Sequence, residues 1–95
     1  MEARIVRARW QGFDCHVQVQ TLDRDICVDL YTDFDESQGL CDRPVQIEGE
    51  GNAVLRISKV TDEQLREWRQ SHGSIVVLAR DDQQNIVAKY KAGLP

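Results

Sequence analysis

Apolar and polar residues alternate with a period of two along much of this chain. Val17 and Val19 are set between Gln18 and Gln20, and Ile26, Val28 and Leu30 are interleaved with Cys27, Asp29 and Tyr31. Successive side chains of a strand point to opposite faces, so this spacing marks half-buried strands. With Leu22-Asp23-Arg24-Asp25 as the connection and Asp23 and Arg24 at its tip, the two stretches predict a hairpin. Val17 then faces Leu30, Val19 faces Val28 and Thr21 faces Ile26, which puts the apolar set on one face. The other face, His16, Gln18 and Gln20 beside Tyr31, Asp29 and Cys27, is predicted to be exposed and polar.

The same pattern predicts a second hairpin, with Val45 and Ile47 opposite Ile57 and Leu55, Glu50-Gly51-Asn52 as the loop and Pro44 marking its start. Residues 3–10 predict an earlier strand with Val6, Ala8 and Trp10 inward and Arg7 and Arg9 outward, ended by Gly12. Residues 74–80 are apolar on both faces and predict a central strand. Residues 85–91 return from the turn Asp81-Asp82-Gln83-Gln84 with Ile86, Ala88 and Tyr90 inward.

One segment changes period. Thr61 followed three residues later by Gln64 is a capping box, and Val60 and Leu65 occupy the positions of a hydrophobic staple. Asp62 and Glu63 suit the positive end of a helix, Arg66 and Arg69 the negative end, and Gly73 is placed to supply a left-handed terminator. The apolar stripe is only Leu65 and Trp68, which anchors a helix on the mouth or flank of a sheet. The predicted fold is therefore β-rich α+β: a mostly antiparallel seven-strand roll or partly open barrel with one helix, in the order β-β-β-β-β-α-β-β.

Ninety-five residues make one domain, 1–95, with 41% hydrophobic and 29% charged residues as in ordinary globular chains. The longest apolar run, Ile75-Val76-Val77-Leu78-Ala79, is far below membrane-spanning length, and the start Met-Glu-Ala-Arg-Ile-Val-Arg has no apolar signal core. Cys15, Cys27 and Cys41 are odd in number, as reduced thiols would be. Together these predict a cytoplasmic protein that does not enter membranes.

Charge is unevenly divided. Residues 21–50 carry nine acids (Asp23, Asp25, Asp29, Asp33, Asp35, Glu36, Asp42, Glu48, Glu50) against Arg24 and Arg43, a net of −7; the remainder is +3, giving −4 overall. A one-sign field selects partners of the opposite sign and speeds their encounter.

Candidate chemistry is sparse. Asp33-Phe34-Asp35-Glu36-Ser37-Gln38-Gly39 opens like a calcium loop. Gln38 stands where the sharp-turn glycine belongs, however, and Pro44 where the closing glutamate belongs. Cys15, His16, Cys27 and Cys41 are zinc-type residues, yet the predicted register sends Cys15 to the core face and His16 and Cys27 to the other, and no C-x-x-C spacing occurs. That geometry also excludes a Cys15–Cys27 disulfide and keeps His16 out of reach of Cys27 as a catalytic pair. His72 falls at the helix end, where its charge suits the dipole. Walker, G-x-G-x-x-G and G-x-S-x-G motifs are absent. No metal, cofactor or enzymatic activity is predicted.

The reading that follows is a small non-enzymatic binding or inhibitor protein, of the immunity type encoded beside toxins or on mobile elements. It would act on a basic partner protein through Asp25, Asp29, Tyr31, Asp33, Asp35, Glu36 and Asp42, with Tyr31 as anchor. The alternative is a nucleic-acid-associated module using Arg4, Arg7, Arg9, Lys89 and Lys91. A third is a homo-oligomer joining the basic edge of one copy to the acidic loop of the next. Charged edge strands that only block aggregation, and an acidic segment that is only solvated surface, are the plainer accounts of the same residues.

Overall fold

The alternating segments form seven strands in two sheets. The computed structural model describes residues 4–20, 25–48 and 51–95; the predicted tip Leu22-Asp23-Arg24, the Thr21–Ile26 pair, Ala3 and Glu50 lie outside them. In chain order the elements are β1 (Arg4–Gln11), β2 (Asp14–Gln20), β3 (Asp25–Thr32), β4 (Val45–Glu48), β5 (Gly51–Arg56), α1 (Asp62–Gln70), β6 (Ile75–Arg80) and β7 (Ile86–Gly93). The first sheet runs β1-β2-β5 and the second β4-β3-β6-β7, and every pairing between them is antiparallel. The sheets lie face to face without closing into a barrel: β1 lies against β7 and β4 against β5, with no ladder joining either pair among the described residues.

Neither predicted hairpin forms. Val17 pairs with Ala8 and Ala53 rather than Leu30, and Val28 pairs with Val45 and Ala79 rather than Val19. The chain crosses from the first sheet to the second between β2 and β3, and back between β4 and β5. Val17, Val19, Ala53 and Leu55 therefore meet Ile26, Val28, Leu30 and Ile47 across the core instead of beside them in one sheet. Alternation states which face of a strand is apolar; either arrangement satisfies it.

The sequence-local signals hold better. Gly12, at φ +61°, sits at the first central position of the β1–β2 turn, where a type II′ hairpin needs positive φ. In the β6–β7 loop, the Asp81 carboxylate accepts the Gln83 and Asn85 N–H groups. β6 is central, with β3 on one side and β7 on the other, and both faces of Ile75 to Ala79 are buried. Two inward assignments are corrected by bulges. The register slips between Ile5 and Arg7, so Ile5 is buried and Val6 turns to solvent; between Ala79 and Arg80 it slips again, leaving Ile86 exposed and Val87 against the core.

Helix α1 starts as predicted. Gln64 N–H donates to Thr61 Oγ1 at 3.1 Å, and Thr61 N–H to Gln64 Oε1 at 3.0 Å. Leu65 reaches the core, and Val60 and Trp68 pack against it. The terminator is not Gly73. His72, past the last helical turn, takes φ +60°, while Gly73 N–H closes onto the Trp68 carbonyl at 2.7 Å and His72 N–H onto Arg69 at 3.4 Å. This is a Schellman closure with histidine at the position that favours glycine.

A side chain in left-handed backbone costs about 1 kcal/mol relative to glycine. His72→Gly should accordingly raise stability by roughly that amount in urea or thermal unfolding, and an unchanged or lowered midpoint would contradict this termination of α1.

Candidate functional site

The acidic middle of the chain does not present itself as one surface. Asp29 and Tyr31, predicted on an exposed face, are 7% and 8% exposed. β3 is flanked by β4 and β6, and the segment 33–44 runs back along it, so the outer face of β3 is covered. Tyr31 packs with Val76 and Leu78, its ring under the Arg80 guanidinium at 5.4 Å. A ring held there is part of the packing.

Asp29 holds the covering segment. Its Oδ1 accepts the Leu30 N–H at 2.7 Å, and its carboxyl takes hydrogen bonds from the Cys41 thiol and N–H. Gly39 passes so close over the carboxylate that a Cβ there would overlap it. The neighbouring backbone completes the attachment: Leu40 N–H donates to the Leu30 carbonyl at 2.8 Å, and the Leu40 carbonyl accepts from Ser58 at 2.9 Å and Lys59 at 3.2 Å. Burial raises the Asp29 carboxyl above its ordinary range, opposed by the Leu30 and Cys41 hydrogen bonds and the Lys59 charge. Burial also pushes the Cys41 thiol up to about 12, helped by the adjacent Asp29 charge and its hydrogen bond, and Cys15 to about 11. Thiols held so firmly protonated are poor nucleophiles.

Asp33, Asp35 and Glu36 are engaged within the chain. Asp33 Oδ2 accepts the Ser74 N–H at 3.2 Å, while Asp33 N–H donates to the Ser74 carbonyl at 3.1 Å. Asp35 Oδ1 accepts the Ser37 hydroxyl and N–H, which lowers the Asp35 carboxyl below its usual range. Glu36 Oε1 meets Lys89 Nζ at 2.6 Å, and its carbonyl accepts from Arg80 at 3.0 Å. Asp33, Asp35 and Glu36 thus shape the loop, and no three His, Cys, Asp or Glu side chains gather to hold a metal ion among the described residues. The register used to set the zinc-type residues apart is overturned, yet they remain dispersed. Cys15 and Cys41 lie in the core, His16 on the exposed face of the first sheet and Cys27 in the second.

Two outward acids of the middle segment face each other without a side-chain partner among the described residues. Asp25 and Glu48 are exposed and directly opposite each other at the end of the β3–β4 ladder. Sequence reading included Asp25 and passed over Glu48, because the pairing that joins them was not the one predicted. Asp42 is also exposed, with its N–H donating to Ser58 Oγ at 2.7 Å.

The basic residues also divide. Lys89 is paired with Glu36, and Lys89 and Lys91 lie on the second sheet. Arg4, Arg7 and Arg9 are exposed on the first, where Arg9 is opposite His16 and Arg7 opposite Gln18. Arg56 binds Asp14 at 2.8 Å, and that guanidinium holds the Asp14 carboxyl below its ordinary value. No helix is long and apolar enough to cross a membrane among the described residues. No family model matches the chain, and no curated protein matches it significantly.

The buried carboxyl gives a signed pH dependence. Asp29 binds its proton more tightly folded than unfolded, so its contribution to stability is full below the unfolded value of about 3.9 and is lost as pH rises through the raised folded value. Asp29→Asn does not titrate there. Urea unfolding from about pH 3.5 upward should show the wild type losing ground to this variant, and a constant difference would refute the assignment.

The Gly39 contact is tested by coupling. Gly39→Ala should destabilise by roughly 1–3 kcal/mol through overpacking, and by much less in an Asp29→Ala background, where the overlapping carboxylate is gone. A double-mutant cycle with no coupling beyond about 0.5 kcal/mol would show that Asp29 does not hold this segment.

Proposed function

We propose that this chain is a small binding protein of the inhibitor or immunity type, which engages a basic patch on a partner protein through the acidic end of its second sheet. The observation that carries the reading is the pairing of Asp25 with Glu48. Like charges directly across an antiparallel ladder repel, and neither carboxylate has a compensating partner among the described residues. A surface that tolerates this repulsion is complementary to a cation brought by another molecule. Asp42 stands apart from this pair, before the other end of β4 and beside Arg43 and Arg56, and Asp23 and Glu50, two residues along the chain from the pair, lie outside the described residues. Asp33, Asp35 and Glu36 contribute field while shaping the loop, and Asp29 and Tyr31 serve the fold beneath it. Charges of this kind act mainly on the rate and selectivity of encounter.

The test uses Asp25→Asn with Glu48→Gln. Relief of repulsion should leave stability unchanged or raise it by roughly a few tenths of a kcal/mol. Capture of a basic protein from host lysate at about 50 mM salt should weaken, and the salt dependence of that capture should flatten. Identical capture by wild type and variant would discard the acidic end as the working surface.

A further inference from the structure

We propose a second site of opposite sign on the outer face of the first sheet: Arg7, Arg9 and His16 bind the phosphodiester backbone of a nucleic acid. The three side chains share that face by register. Arg7 and Arg9 are two residues apart on β1, so they project to the same side about 7 Å apart, and His16 on β2 stands directly opposite Arg9. All three are exposed. Among the described residues, neither arginine side chain has a hydrogen bond or ion pair; the nearby acid, Asp14, is held by Arg56.

The surroundings define the ligand class. Two shallow clefts of about 460 and 280 Å³ flank the arginines, the first lined with Trp10 and Gln11 and the second with Gln18 and Asn52. Guanidinium, imidazole and amide groups donate to phosphate oxygens, and interfaces with nucleic acids are rich in such groups. A protein partner would need clustered apolar or aromatic anchors, whereas the apolar side chains exposed on the first sheet, Val6 at the β1 bulge, Phe13 in the β1–β2 turn and Val54 opposite His16, are spread singly from one end of it to the other. Of its aromatic rings, Trp10 is tied to the Ala92 carbonyl and packed on the core, and Phe13 sits in the turn at the end of the sheet, so no row of rings lies between the arginines for bases to stack on. Recognition is therefore of the backbone and independent of sequence. The chain's net charge of −4 does not oppose this locally, because Asp25 and Glu48 belong to the other sheet.

The proposal is independent of the acidic end, and fluorescence anisotropy tests it with a labelled single-stranded oligonucleotide at about 50 mM salt, where phosphate contacts are strongest. Up to three contacts give a log–log salt slope of about −2 for a single strand. Arg7→Gln with Arg9→Gln should weaken binding roughly tenfold or more and flatten the slope toward about −0.7. Gln18→Glu, which places a carboxylate directly across from Arg7 while keeping both arginines, should weaken it as well, and serves if the double variant fails to fold. Polyglutamate of similar charge should compete poorly. Absence of oligonucleotide binding by the wild type, or insensitivity to both substitutions, would overturn the site. Equal competition by polyglutamate would overturn the ligand class in favour of an acidic protein.

Discussion

The carboxylate of Asp29 is the constraint on which the covered half of this molecule depends. β6, and β3 from Val28 onward, are buried on both faces, and a two-layer sandwich buries only one face of each sheet. The exposed side of β3 needs a lid, and the chain supplies one from its own loop. That lid carries few apolar residues, so it is fastened by polar contacts: Gly39 pressed on Asp29, Cys41 donating to it, and Leu40 bonded to both Leu30 and the segment after β5. A buried carboxyl is costly, and it is tolerated because each of its hydrogen-bond partners belongs to the backbone or side chains it must fix.

This fastening accounts for the fate of the acidic segment. A run of nine acids reads as a repelling, solvated surface, yet its members fill distinct roles. One is buried as a fastener, one closes a local turn, one binds the residue before β6, one crosses to Lys89, and a pair at the end of β3–β4 is left facing itself. The basic residues separate likewise, Lys89 to the lid and Arg7 and Arg9 to the opposite sheet. Sorting by the two sheets, rather than by position along the chain, produces the two unpaired surfaces of opposite sign.

Local features were legible in the sequence and non-local pairings were not. Helix α1 was readable to within a residue at its start because its cap lies within four residues. Strand positions followed from alternation, and the centrality of β6 from its unbroken apolar run. The partners of β2 and β3 were hidden because Val17 and Leu30 look the same whether adjacent in a sheet or facing across the core. One pairing was within reach. Placing Gly12 and Phe13 at a two-residue tip sets Trp10 against Cys15, Ala8 against Val17, Arg9 against His16 and Arg7 against Gln18, and the polar face of the first sheet follows. The burial of Asp29 and Tyr31 had no such local signal, since it depends on a loop returning ten residues later.

The two seams of the sandwich carry a mechanical consequence. Where β1 approaches β7, the Trp10 indole N–H reaches the Ala92 carbonyl at 2.8 Å, and apolar contacts do the rest. Backbone ladders resist shear cooperatively, whereas a single indole bond and a greasy seam slide. The first sheet is thus a plate clasped to the second at its edges, and the outer strand β1 is the place where that clasp opens with the least loss of hydrogen bonding. Amide protons along the outward edge of β1 are expected to exchange fast and those of β6 slowest, since β1 is an edge strand and β6 is paired on both sides and buried.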